Sequence, residues 1–183
     1  MIRSSYQNNL DYSDIFAILC FMKTPELVVE IGILDGYSLE SIHKNVSKQC
    51  NIDAYDIFDE FNGNSADKNK LIEKFKEHDN ISIKYGDLYE KYKDFKDNTI
   101  DILHVDIANN GDTYEFVLCN YLSKIRKDGI IILEGGSEER DNIEWMNNYT
   151  KPKICPVLRK YDDMYDIVTI GNIPSITIVK RKL

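Results

Sequence analysis

Five short runs of mostly branched apolar residues, 27–31, 52–57, 81–85, 100–105 and 129–133, are separated by intervals each longer than a dozen residues. Runs of that kind read as strands. A strand returns parallel to its predecessor only through a crossover of about a dozen residues or more. Three of the intervals carry helical spacing, over 38–46, 68–78 and 112–124, so the repeating unit is strand, turn, helix. That alternation predicts an α/β fold in which a parallel sheet is covered by helices on both faces. The last two runs, 165–170 and 175–179, are joined only by Gly171-Asn172-Ile173-Pro174. So short a link makes them an antiparallel hairpin.

Covering both faces of a sheet takes a chain of some size, and 183 residues with 43% hydrophobic content suffice for one domain over 1–183. Ahead of the first strand, Ile15, Ile18, Leu19 and Met22 recur at helical spacing before Pro25, which predicts a leading amphipathic helix within residues 1–25. The net charge of -8 disfavours loosely held polyanions, so neither nucleic acid nor an anionic membrane face is an expected partner. No apolar stretch is long enough to span a bilayer and the N-terminus has no apolar export core, so the expected location is cytoplasmic. Cys20, Cys50, Cys119 and Cys155 have neither metal-site nor disulfide-framework spacing and read as reduced, mostly core residues.

The stretch most informative about chemistry is Val28-Val29-Glu30-Ile31-Gly32-Ile33-Leu34-Asp35-Gly36-Tyr37-Ser38. Glycines between a strand and a helix let the backbone approach a ligand, and the helix start at Ser38 offers free N–H groups to a carboxylate. Glu30 and Asp35 would repel a dinucleotide pyrophosphate and welcome a cationic ligand, and the G-x-G-x-x-G fingerprint is absent.

With these residues the sequence resembles the class I S-adenosylmethionine-dependent methyltransferases, and among them the catechol and macrocin O-methyltransferase type, over most of the chain. The resemblance implies a Rossmann-like three-layer sandwich with a seven-stranded, mostly parallel sheet in the order 3-2-1-4-5-7-6 and the last strand antiparallel. It implies S-adenosyl-L-methionine as cofactor. Glu30, Gly32, Gly36 and Tyr37 would hold its methionine part, with Ser38 near its carboxylate. Asp56, with Asp59 and Glu60 close by, would bond the ribose hydroxyls, which a carboxylate can do through two oxygens. Tyr85-Gly86-Asp87 corresponds to the adenine turn, with Asp87 the contact.

After the fourth strand, Leu103-His104-Val105-Asp106 resembles the family motif whose Asp faces the cofactor methyl group or ligates a metal. Asp106 and Glu134, 28 residues later, are the candidate ligands of a divalent cation such as Mg²⁺. Asp106 and His104 are the catalytic candidates, although His104 also reads as a core histidine. The chain departs from the family at Asn109, where catechol-type enzymes carry lysine, at Ala108, where macrocin-type relatives often carry histidine, and at Glu134-Gly135, in place of Asp-Asn.

Other features have plainer readings. Asp112-Thr113-Tyr114-Glu115 resembles a capping box. Residues 90–97 read as a solvated face of nearly cancelling charge. His43 and His78 read as surface residues, and Trp145 as a residue of the core or of a substrate wall. The expected reaction is methyl transfer to a small-molecule acceptor, first of all to an oxygen. A non-catalytic cofactor binder and another nucleotide-using enzyme on the same sheet are the alternatives. Little chain is left for a substrate-recognition domain, which is compatible with a homodimer that completes the pocket.

Overall fold

The computed structural model describes residues 4–6, 11–60 and 66–182. Its strands are β1 (Leu27–Ile31), β2 (Asn51–Asp56), β3 (Ile81–Tyr85), β4 (Ile100–Val105), β5 (Ile125–Glu134), β6 (Tyr165–Gly171) and β7 (Ser175–Arg181). They form one sheet in the order β3-β2-β1-β4-β5-β7-β6, parallel from β3 to β5, with β7 antiparallel to both neighbours. The expected order and hairpin are both present. The polar stretch Asn62-Gly63-Asn64-Ser65, which reads in the sequence as a loop after the second strand, lies outside the described residues.

The helices are α1 (Ser13–Lys23), α2 (Tyr37–His43), α3 (Lys68–Phe75), α4 (Leu88–Lys91), α5 (Gly111–Asn120), α6 (Glu144–Asn148) and α7 (Ile154–Tyr161). Because side chains alternate along a strand, the sheet feeds two cores. Val28, Ile52, Ile102, Ile130 and Ile132 pack with residues of α1, α2 and α3, whereas Val29, Leu103, Val105, Ile131 and Leu133 pack with residues of α5 and α7. Among the described residues, no helix is long and apolar enough to cross a membrane.

Several local readings change. The buried stripe of α1 is Phe16 and Cys20, continued from Tyr12, while Ile18 and Met22 stand 58% and 71% exposed. Both stripes have helical spacing, and the sheet contact selects between them. The cap of α5 is Asn110, whose side chain accepts from the Asp112 N–H, so the box read at Asp112 starts two residues too late. Glu115 instead accepts from Lys160 and Tyr161. His43 and His78 are half-buried, with ring centroids 4.0 Å apart. Cys20 and Cys50 are buried as expected, but Cys119 is exposed.

Helix α7 has no clear signal in the sequence. Its first N–H groups, on Ile154 and Cys155, donate to the Asp141 carboxylate at 2.7 and 2.8 Å, and the next residue, Pro156, has no N–H to satisfy. The run 90–97 is solvated as read, with Lys91–Asp94 and Lys93–Glu90 ion pairs, but Tyr92 and Phe95 turn inward onto Tyr121.

One position decides how closely β1 and β4 approach at their carboxyl ends. Gly32 has φ +92°, and a Cβ there would lie 2.0 Å from the carbonyl oxygen of Asp106. Gly32→Ala therefore adds a left-handed strain to a backbone clash, and is expected to cost about 3 kcal/mol or more. Urea unfolding checks this, and a loss below about 1 kcal/mol would contradict it.

Candidate active site

The register of β1 with β4 places Glu30 beside His104. Both side chains point to the α1 face, both are fully buried, and His104 Nδ1 lies 2.9 Å from Glu30 Oε1. Ser38, at the start of α2, donates its hydroxyl to the same oxygen. On its other side, His104 Nε2 lies 2.8 Å from the hydroxyl of Tyr6. A carboxylate only accepts, so Nδ1 carries a proton toward Glu30 while Nε2 pairs with the Tyr6 hydroxyl. Glu30 Oε2 is buried with no partner among the described residues.

The turn after β1 collects the other expected cofactor residues. Gly32 closes on Asp106, Gly36 forms the N-cap of α2, and Tyr37 donates its hydroxyl to Asp11. Asp56, at the end of β2, accepts from the Ile33 N–H at 2.8 Å and from the Phe58 N–H at 2.7 Å, which ties the two strand ends together. Asp87 caps α4 by accepting from the Tyr89 N–H, beside Gly86, whose own N–H donates to the Asp56 carbonyl. All the expected residues thus lie along the carboxyl edge of the sheet, where open α/β sheets bind ligands.

Asp106 follows β4 directly and accepts from the Ser5 hydroxyl. Burial, and then the charge of Glu134, push its carboxyl from 3.8 up to about 7, against the smaller opposing pull of His104 and Ser5. Glu134 is buried at the end of β5 and held bidentately by Arg140, with Nε 2.7 Å from Oε1 and Nη2 3.0 Å from Oε2. Burial raises the Glu134 carboxyl as well, while Arg140 pulls it down.

This pairing bears on the expected metal seat. Mg²⁺ binds oxygen at about 2.1 Å, and on Glu134 it would stand against a guanidinium that already engages both oxygens. Among the described residues, no group of three or more His, Cys, Asp or Glu is arranged to hold a metal ion. The donor set of Asp106 and Glu134 does not fit a divalent cation.

The family described as "Methyltransferase domain" matches residues 29–134, more than half of the chain. The chain belongs to that methyltransferase family. No curated protein matches it in sequence. Among solved structures, the SAH-bound methyltransferase PaMTH1 of Podospora anserina superposes with a TM-score of 0.72 at 16% identity, covering 98% of this chain and 81% of that one. A putative O-methyltransferase from Klebsiella pneumoniae gives 0.73 at 11% identity, with coverages of 98% and 84%. An O-methyltransferase from Bacillus cereus in complex with SAH gives 0.67 at 16%, with 97% and 84%. At such identities the likeness concerns the fold.

Three side chains of this candidate site were given no role of their own by the sequence reading. Ser5 and Tyr6 precede every motif and reach Asp106 and His104 only through the tertiary fold. Arg140 has one local signal, the pair Gly135-Gly136, whose φ values of +99° and +106° reverse the chain so that residue 140 folds back onto 134. Trp145 is half-buried, belongs to neither core, and lies with its ring centroid 5.8 Å from the Arg140 guanidinium.

Proposed function

We propose that this methyltransferase moves a methyl group from S-adenosyl-L-methionine to an oxygen of a small-molecule acceptor. The observation that carries the reading is Glu30, a sealed carboxylate beside the Gly32 turn whose Oε2 has no partner among the described residues. A buried acceptor of that kind is costly unless a donor or cation meets it. The ammonium-bearing methionine part of the cofactor is such a partner, and SAH-bound neighbours of the same fold support it. In this reading Gly32, Gly36, Tyr37 and Ser38 line the methionine part, Asp56 takes the ribose and Asp87 the adenine side.

The cofactor supplies a methyl group on a positively charged sulfur. The chain's own task is to orient and deprotonate the acceptor. Asp106, poised near neutrality, is the general base. His104, clamped between Glu30 and Tyr6, is a positioning residue that holds the carboxyl ends of β1 and β4 in register. Asn109 stands where catechol-type relatives carry lysine, and it donates its amide to the carbonyls of Val105 and Glu134, which joins β4 to β5. Aligning acceptor and methyl is where such a site contributes most, up to about 7–11 kcal/mol of barrier.

Residues 1–183 are read as one domain of a cytoplasmic enzyme, which four free cysteines suit. The exposed stripe Ile18, Phe21 and Met22 on α1 supports a homodimer, and sedimentation should then give twice 21.3 kDa; a monomer at micromolar concentration removes that part.

The cofactor test is thermal unfolding with S-adenosylhomocysteine, against NAD as a comparison. At 100-fold excess over its dissociation constant a ligand adds about 2.7 kcal/mol, which raises the midpoint by roughly 5–10 °C. The rise should occur with S-adenosylhomocysteine alone and shrink by more than half in Glu30→Gln. No shift at millimolar ligand would overturn the reading.

A further inference from the structure

We infer that Arg140 is the fixed cation of the acceptor site, and that its Nη1 edge binds an anionic oxygen next to the hydroxyl that is methylated. The inference rests on the methyltransferase reading and adds the acceptor's chemistry to it. Its starting point is an imbalance in how the guanidinium is used. The Nε and Nη2 edge is fully engaged by Glu134, and Nη2 also points toward the Asn109 carbonyl at 3.4 Å. Nη1 is buried with no partner among the described residues.

A purely structural ion pair would not strand a charged donor. Arg140 is only 7% exposed, and an unmet buried N–H of a cation costs more than a neutral one. The side chain is also too well held to swing Nη1 into water. Glu134 fixes one edge and the Trp145 ring lies 5.8 Å from the guanidinium carbon, while the Arg140 backbone N–H donates to Ser137 Oγ at 3.0 Å and fixes the base of the side chain. What remains is a planar, permanently charged fork with one nitrogen buried and unmet, a group whose chemistry suits an oxyanion.

The surroundings place that edge at the acceptor. Arg140 is seated on Glu134, and β4 and β5 run side by side with Val105 opposite Leu133, so Asp106 and Glu134 stand at adjacent strand ends. Asn109, whose carbonyl neighbours Nη2, has a buried Oδ1 that also lacks a partner among the described residues. Donor and acceptor in one corner match a ligand that offers an anionic oxygen and a hydroxyl side by side. Two kinds of molecule do so, a hydroxy-carboxylate and an ortho-diol with one hydroxyl ionised. Arg140 thereby takes, on Glu134, the place that a divalent cation would need.

The test is calorimetric titration of the full chain, saturated with S-adenosylhomocysteine and kept in EDTA, with salicylate and with catechol. Wild type should bind at least one probe. Salicylate alone assigns the carboxylate, catechol alone the ionised hydroxyl, and both are consistent with the shared chemistry. In Arg140→Lys, which keeps the charge but loses the fork, probe affinity should fall tenfold or more while S-adenosylhomocysteine affinity stays within twofold. Equal probe affinity in Arg140→Lys, binding only when Mg²⁺ is added, or no binding of either probe to wild type would each overturn the inference. Failure of S-adenosylhomocysteine to bind wild type would instead remove the reading on which it rests.

Discussion

Asp106→Asn is expected to lower kcat by about 10²–10⁴-fold and, in the same protein, to raise the unfolding temperature at neutral pH. The two effects have one cause. Burial and the charge of Glu134 raise the folded-state pKa of Asp106 from 3.8 to about 7. A carboxylate shifted upward binds its proton more tightly in the folded chain than in the unfolded one. Stability is therefore lost as pH rises between about 4 and 7, and the loss is complete above that window. Its full size is on the order of 4 kcal/mol. Asn carries no charge to desolvate but still needs partners, so the expected net gain is about 2 kcal/mol, or roughly 4–8 °C at pH 8. The wild-type kcat/KM should climb with pH up to about 7 as the base ionises. A variant that keeps more than a tenth of wild-type kcat, or that melts earlier at pH 8, would count against the assignment.

The second large effect is expected at Arg140. Truncation to Ala leaves Glu134 buried with no cation, and breaking one side of a buried pair costs about 3–5 kcal/mol. The midpoint should fall by roughly 10 °C. Most of that loss comes from the stranded charge, so adding Glu134→Gln to Arg140→Ala should recover more than half of it. Thermal unfolding of the four proteins in this cycle measures the coupling directly. A single Arg140→Ala variant within about 1 kcal/mol of wild type would show that Glu134 finds another partner or takes up a proton.

The candidate site was legible where function depends on short-range order. Glu30, Gly32, Gly36, Tyr37 and Ser38 sit in one strand, turn and helix start, while Asp56 and Glu134 end strands, Asp106 directly follows one and Asp87 comes two residues after one, all strands that periodicity exposes. His104 carried two readings because a histidine inside a strand has the same local pattern whether it packs or reacts. Its partners, Glu30, 74 residues away, and Tyr6, 98 residues away, settle its geometry. The guanidinium that occupies both oxygens of Glu134 was out of sight for a similar reason. Arg140 is only six residues on, but its approach depends on two left-handed glycines that leave no trace in charge or hydropathy.

By itself, then, the sequence determined the layered α/β architecture and the edge on which the site lies. Alternating strands and crossovers bury both sheet faces, and ligands collect where the strands end. Only the tertiary structure decided which side chains meet there. It chose the Phe16 and Cys20 stripe of α1 over Ile18 and Met22, brought Ser5 and Tyr6 onto Asp106 and His104, and set a guanidinium against Glu134. The physical reason is that periodicity is a local property of the backbone, whereas burying a charge or a polar group demands a specific partner, and that partner is found by register and close packing across the chain.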